Sequence, residues 1–382
     1  MKTNTPNILM VAASYFPYMG GLETHVHEVG CRLSRLGVNL TLLTTISPYH
    51  VSQLPQEEKV EEMHIIRVPA WLREREYYIA PEIYSIIKNG NWDLVHCQGC
   101  HTFVPPVAMF AAREAKLPYI LTFHTGGHSS GWRNKIRKAQ WRIQRPLLAH
   151  ATKLIGVSQF EAEYFREVLH LPKEQFTVIP NGAVLPYTAH LASVKPNRTL
   201  IASVGRLERY KGHQHLITAL PKIREQHPDA HLLIVGKGPY ETTLRQLAQK
   251  VGVAEHVEIR SVASSDRQGM AELLSQVALV ALLSEYEAHP IAVMEALALQ
   301  RPVLVADTSG LREIAEQGFA RSISLNSTPD EIAQAALQQI EAPLVPPGHL
   351  ELPTWEDCVQ QLLAVYDESI GGIGAFAHTA LI

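Results

Sequence analysis

A chain of 382 residues, 46% of them hydrophobic, carries enough apolar side chain for one or two large cores, which excludes intrinsic disorder. A net charge of −3 argues against a protein that coats nucleic acid, and four cysteines make no disulfide framework in so long a chain. The longest apolar run, Val277 to Leu283, is far below the roughly 18 residues that span a bilayer, and no secretory signal pattern is visible, so the expectation is a soluble, cytoplasmic protein.

Asn7–Ala13 is a short apolar run of the kind expected for a buried parallel strand. After the loop Tyr15–Gly21, Leu22, Val26, Val29, Leu33 and Leu36 recur at helical spacing, and Gly37 stands where a helix end favours glycine. Val38–Thr45 is the next strand, which completes a βαβ unit and implies a parallel sheet. Further strands are expected at 65–68, 94–96, 119–123, 154–157 and 176–179. Residues 183–198 read as a linker. A second series then begins, with strands near 199–204, 231–235, 257–260, 278–283, 302–306 and 321–324, and helices near 212–226, 239–251, 267–275, 290–299 and 329–340. A last helix covers about 354–369, followed by a Gly-rich tail. The result is α/β, two tandem doubly wound Rossmann-like domains facing a central cleft.

Within His96-Cys-Gln-Gly-Cys-His101, the order Cys97, Cys100, His101 spells the pattern of covalent haem attachment. That chemistry belongs to exported proteins, and a zinc site would need a second ligand pair that the sequence lacks. The simpler reading is a strand ending at His96, with both cysteines packing in the loop beyond it.

Ligands of doubly wound sheets bind beyond the carboxyl ends of the strands, so the loops there matter most. Gly20-Gly21 follows the first strand and could admit a phosphate to backbone N–H groups. No dinucleotide fingerprint accompanies it, which counts against a dehydrogenase. His124 directly follows a strand and can hydrogen-bond a ligand hydroxyl. Arg206 and Lys211, in the loop after the first strand of the second domain, could hold a diphosphate from two sides. Glu287 precedes a helix for which Pro290 fits the first position, and Glu295 lies on its second turn. Two carboxylates so placed could grip hydroxyls at the two ends of an extended ligand, with its phosphates at the positive helix end.

In this order the motifs resemble the retaining nucleotide-sugar glycosyltransferases of family four, with GT-B architecture and the E-x7-E signature of the group 1 glycosyl transferases. They run through essentially the whole chain: Gly20-Gly21, His124, Val157-Ser158, Pro180-Asn-Gly182, Val204–Gly212, Val235–Pro239, and the pair Glu287 and Glu295. The resemblance implies that Arg206 and Lys211 bind the donor diphosphate and Glu295 the ribose hydroxyls. Glu287 and the backbone at His289, Pro290 and Ile291 would hold the transferred sugar, with help from His124; Gly20 and Gly21 complete the donor set. The catalytic residues would then be His124, Arg206, Lys211 and Glu287, acting with retention, without a metal and without a cofactor. Two departures stand out: Glu287-Ala-His-Pro290 replaces the common E-G-F-G, and Ala183-Val184 follows P-N-G in place of Val-Asp.

The domain scheme is an acceptor-binding domain at 1–185, a linker at 186–198, a nucleotide-sugar-binding domain at 199–353, a helix at 354–370 returning to the first domain, and a tail at 371–382. The expected activity is hexosyl transfer from a UDP- or GDP-sugar to a glycan, lipid-linked or small-molecule acceptor, with domain closure assembling the site. A non-catalytic sugar-nucleotide or glycolipid binding protein, and a nucleotide-sugar epimerase of related architecture, are the alternatives. Trp132, Arg133, Lys135, Arg137 and Lys138 begin a basic helix whose stripe Trp132, Ile136, Ala139, Ile143 could pack on the domain or meet an anionic membrane or acceptor. The protein would then sit at the inner face of the membrane as a peripheral enzyme.

Overall fold

The structure is a computed structural model. It describes residues 5–17, 20–46, 54–71, 79–124, 131–183, 191, 194–263, 266–344 and 352–371, without the side chains of 131–138 and 198. Most of the expected linker lies outside the described residues. The chain divides into two compact units, the first built on Met1–Thr125, Trp132–Asn181 and Thr354–Ile382, the second on Gly182–Pro353.

In the first unit the elements are β1 (Asn7–Ala12), α1 (Gly21–Arg35), β2 (Asn39–Ile46), β3 (Glu57–Val60), β4 (Met63–Pro69), α2 (Glu82–Asn89), β5 (Leu94–Gln98), α3 (Val104–Glu114), β6 (Tyr119–Thr122), α4 (Gly131–Leu148), β7 (Lys153–Gly156), α5 (Gln159–Leu169) and β8 (Phe176–Val178). Their sheet has the order β3-β4-β2-β1-β5-β6-β7-β8. All its pairings are parallel except β3 with β4. The near-continuous apolar strands follow from burial on both faces, and Leu9, Val11, Val95, Leu121 and Leu154 form one core layer with residues of α3 and α5. Gly37 (φ +85°) ends α1 in the left-handed region, where glycine avoids a Cβ clash. Ser158 caps α5 by accepting from Glu161 N–H while Glu161 accepts from Val157 N–H, so the Val157-Ser158 fragment is a helix start.

The second unit contains β9 (Asn197–Val204), α6 (His213–Gln226), β10 (His231–Val235), α7 (Glu241–Lys250), β11 (Val257–Arg260), α8 (Arg267–Gln276), β12 (Val277–Leu282), α9 (Ile291–Ala298), β13 (Val303–Ala306), α10 (Ser309–Glu316), β14 (Arg321–Ile323) and α11 (Pro329–Glu341). The sheet order is β11-β10-β9-β12-β13-β14, parallel throughout. This is the doubly wound order whose strand sequence reverses between β9 and β12, and a ligand crevice is expected beyond that pair. Apolar clusters cover both faces: Leu274, Val293 and Leu311 on one, Leu216, Leu244 and Ile332 on the other.

The last helix, α12 (Trp355–Ser369), packs on α1 in the first unit through fully buried Trp355 and Tyr366 and the Arg32–Glu356 ion pair at 2.7 Å. Thr354 and Asp357 form its capping box.

Four details differ from the sequence expectation. Strand β5 runs on to Gln98, so Cys97 is inside the strand. Strand β9 begins at Asn197, two residues inside the expected linker. The edge hairpin of β3 and the short helix α10 were not anticipated. On α4, Trp141, Gln144 and Leu148 are buried, whereas Ala139 is exposed and Ile143 is 79% exposed. The face that packs is thus the Trp141 face, roughly 160° around the helix from Ile143, so of the two alternatives for the Ile143 stripe its described part does not pack on the domain.

Candidate functional site

In the second unit the geometry converges on Glu287. The loops after β9 and β12 are neighbours because their strands pair, and Glu285 N–H donates to the Tyr210 carbonyl (2.7 Å) to join them. Lys211 Nζ donates to Glu287 Oε1 at 2.6 Å, and Ser284 Oγ donates to the same oxygen at 2.7 Å. The loop after β13 fixes the backbone: Glu287 N–H donates to Ser309 Oγ (2.8 Å), and Gly310 N–H donates to the Glu287 carbonyl (2.9 Å). Both charged side chains are largely buried, at 15% and 11% exposure. Burial pushes the Lys211 ammonium pKa down, but the Glu287 carboxylate and Tyr210 outweigh it and leave the group above its ordinary value. Lys211 is therefore a fixed positive charge.

Gly212 makes this approach possible. It is left-handed (φ +77°), and a Cβ there would stand 1.9 Å from the Leu283 carbonyl oxygen. The next residue, His213, is fully buried; its Nδ1 meets Ser203 Oγ at 2.8 Å and its Nε2 meets the Arg206 carbonyl at 3.2 Å. Burial lowers the His213 pKa to about 4, so the ring is neutral: Nε2–H donates to Arg206 and Nδ1 accepts from Ser203. The Arg206 backbone is thereby pinned, while its guanidinium is half exposed and reaches Glu208 at 3.4 Å.

Glu295, 3% exposed, pairs with Arg267 at the start of α8. That pairing is what a carboxylate in an apolar helix requires. Pro290 is the N-cap of α9, one residue before the first-helical position expected for it, and gives the first turn no side-chain cap. Ile291 opens the helix, with His289 just before the cap. Arg206, Lys211, Glu287 and Glu295 thus all belong to the carboxyl ends of β9 and β12 and the helices that follow.

In the first unit, Gly20 is extended (φ −179°) at the entry to α1, and the Glu23 carboxylate lies against it, where a Cβ would meet Glu23 Oε2 at 2.4 Å. His124 follows β6 with a left-handed backbone (φ 49°). Its Nε2 lies 2.8 Å from Gln98 Oε1 at the end of β5, and its ring is edge-on to His25 of α1, centroids 4.3 Å apart. His25 Nδ1 meets Asn181 Oδ1 at 2.7 Å, which gives the asparagine of P-N-G a partner on α1. His96 meets Tyr366 Oη (2.7 Å) and Thr122 Oγ1 (2.8 Å). Burial lowers His25 to about 4 and His96 to about 3; His124 lies well below its ordinary value through burial and then His25, His96 and His101. Cys97 and Cys100 are fully buried in the core, and burial pushes the Cys97 thiol up. Trp132, Arg133, Lys135, Arg137 and Lys138 lie in the first turns of α4, where only the backbone is described.

Among the described residues no three His, Cys, Asp or Glu side chains gather as a metal ligand set, and no helix is long and apolar enough to cross a membrane. Ser284, Ser309, His213, Arg267 and the His96–Gln98–Tyr366 cluster escaped sequence reasoning. A period-2 reading of His96 and Gln98 on one strand face could have found the last in part.

Two parallel, doubly wound units with these loops define a glycosyltransferase of the GT-B fold. Residues 19–185 match Glycosyltransferase Family 4 and residues 192–346 match Glycosyl transferases group 1. The chain belongs to this family and is a glycosyltransferase. It is 28% identical over 340 residues to a glycogen synthase of Mycobacterium tuberculosis, covering 81% of this chain and 80% of that one. To a GDP-mannose-dependent alpha-(1-6)-phosphatidylinositol monomannoside mannosyltransferase of the same species it is 24% identical over 352 residues, covering 87% and 88%. The Anabaena HepE structure, solved with UDP and glucose, superposes with a TM-score of 0.75 at 19% identity, covering 94% of this chain and 99% of that chain.

Proposed function

We propose that the enzyme is a retaining hexosyltransferase that moves a hexosyl group from a UDP- or GDP-sugar to a hydroxyl of a glycan, lipid-linked or small-molecule acceptor. The observation that carries this reading is the buried Lys211–Glu287 contact beyond β9 and β12, where the strand order reverses. The UDP and glucose held by HepE and the GDP-mannose in the mannosyltransferase's name support a nucleoside diphosphate sugar as donor.

The acceptor oxygen bonds to the anomeric carbon on the face from which the donor phosphate departs. The bond from that carbon to the phosphate oxygen breaks, its electron pair leaves with the nucleoside diphosphate, and the acceptor proton passes to an oxygen of that leaving group. Lys211 and Arg206 stabilise the growing charge, so the step needs no metal and no cofactor. Glu287, with Oε1 held by Lys211 and Ser284, presents Oε2 to a sugar hydroxyl, and Glu295 receives the ribose hydroxyls. The backbone of His289, Pro290 and Ile291 borders the sugar, and Gly20 and Gly21 at the entry to α1 complete the donor contacts. His124 is too weak a base to take a proton and serves as a hydroxyl acceptor.

A second element of the proposal is peripheral attachment to anionic membrane through α4. Ile143 and Arg142 are exposed on the same stretch of the helix, and the mannosyltransferase is named for a phosphatidylinositol-based acceptor.

A thermal-shift panel of UDP-, GDP- and ADP-sugars, followed by nucleotide-release assays on the hits, tests the reading. Stabilisation by one donor and release of its nucleotide with an α-configured product from an α-donor support it. Silence across the panel favours a non-catalytic binding protein, and donor interconversion without acceptor favours an epimerase.

A further inference from the structure

The stretch His96–His101 places two polar side chains, His96 and Gln98, on one face of β5 while Cys97 enters the core on the other. We infer that Gln98 is a positioning residue that fixes His124 as the Nε2–H tautomer and so presents its Nδ1 lone pair to a substrate hydroxyl. The inference rests on the proposed role of His124 as a hydroxyl acceptor.

The argument is one of donors and acceptors. Gln98 Oε1, an amide oxygen, can only accept, so at 2.8 Å the His124 Nε2 must carry the proton. The other end of the amide lies over the face of the His96 ring, with Gln98 Nε2 3.2 Å from His96 Nε2 and 3.4 Å from His96 Nδ1. The His96 ring is itself held at both nitrogens, Nε2 2.8 Å from Thr122 Oγ1 and Nδ1 2.7 Å from Tyr366 Oη. One run of contacts links four side chains: His124 to Gln98, Gln98 to His96, His96 to Tyr366. Every member is in the first unit, and Gln98, His96 and Tyr366 have no solvent exposure. A buried set of polar groups in mutual reach holds the Gln98 amide, and through it the His124 ring, in one place. Tyr366, on the last helix, thus helps seat a ring 242 residues earlier in the chain through His96 and Gln98.

The backbone contributes as well. His124 holds φ at +49°, the left-handed region that β-substituted residues seldom occupy, so the backbone sets the direction of the side chain and the Gln98 bond sets the rotation of its ring. The titratable neighbours facing the ring are His25 of α1, His96 of β5 and His101 beyond β5. His25 is itself set by the same rule: Asn181 Oδ1 accepts, so the proton is on Nδ1, and the buried Nε2 has no hydrogen-bond partner.

The test has two independent readouts. The first is nitrogen-15 NMR of histidine-labelled wild type, with the His124 pair assigned by its loss in H124N. A protonated Nε2 and a bare Nδ1 are expected, and Q98L should give a tautomer mixture; a protonated Nδ1 in wild type overturns the inference whatever the activity. The second is kinetic. Q98L should lose about tenfold or more in kcat/KM, the worth of one directed hydrogen bond. Q98E keeps an acceptor for Nε2–H and should recover most of that at high pH, but its carboxylate raises the His124 pKa. Its activity should therefore fall as pH drops, with an acid limb absent from wild type, because imidazolium has no lone pair. Equal kcat/KM in Q98L and wild type, with the fold intact by circular dichroism, refutes the positioning role. Full activity in H124A refutes the hydroxyl-acceptor reading of His124 instead, and the NMR result still decides the tautomer.

Discussion

Replacing Lys211 and Glu287 singly and together measures the contact on which the second unit's site is built. At 2.6 Å and an effective dielectric of about 20, the two charges attract by roughly 6 kcal/mol before the cost of removing them from water. Burial at 15% and 11% exposure makes that cost substantial, so the pair's net worth is far smaller than its attraction. Either single change, K211M or E287L, strands the other charge in a buried place and should destabilise by roughly 3–5 kcal/mol. The double variant strands nothing. It should lose less than the sum of the singles by about 3 kcal/mol, well beyond the roughly 0.5 kcal/mol of ordinary additivity. Urea melts followed by far-UV circular dichroism give the values. All five tryptophans lie outside Gly182–Pro353, so tryptophan fluorescence reports the first unit and should move little. Losses that add within about 0.5 kcal/mol would refute the buried pair.

G212A should destabilise by about 3 kcal/mol or more, because a Cβ there meets the Leu283 carbonyl, whereas G37A, which also has positive φ but nothing within 4 Å, should cost about 1 kcal/mol; denaturant midpoints compare them. Stability should fall from pH 7 to pH 5. His25 and His213 titrate at about 4 in the folded protein, so below 6.5 the unfolded chain binds protons that the folded chain refuses. Each should cost roughly 2 kcal/mol at pH 5, and urea melts at the two pH values measure it. Binding to phosphatidylglycerol vesicles should weaken sharply with salt, and I143D should reduce it about tenfold by removing one inserting side chain; co-sedimentation reads both, and salt-insensitive absence of binding ends the membrane proposal.

The parallel sheets were legible because strands buried on both faces read as short unbroken apolar runs, as in Val277–Leu282. β3, Glu57-Glu-Lys-Val60, escaped because a solvated edge strand needs no apolar face. α10 escaped because it is one of the shortest helices and opens with Ser309-Gly310, which reads as a turn. The packing face of α4 was not legible because Trp132, Ile136, Ala139 and Ile143 share helical spacing as well as Trp141, Gln144 and Leu148 do, and only packing decides between the two. Candidate site residues could be named one by one, from residue type and position after a strand. Their partners were not: Lys211 and Glu287 are 76 residues apart, His96 and Tyr366 are 270 apart, and no local pattern encodes such contacts.

Calorimetric titration of the stabilising nucleoside diphosphate sugar into wild type and the triple variant R206E/E287Q/E295Q asks most directly whether the second unit holds an activated sugar by its phosphates and hydroxyls. Saturable binding to wild type and a loss of at least about a hundredfold in the variant are expected, from two or more charged hydrogen bonds removed. Equal affinity in the two proteins would contradict the account.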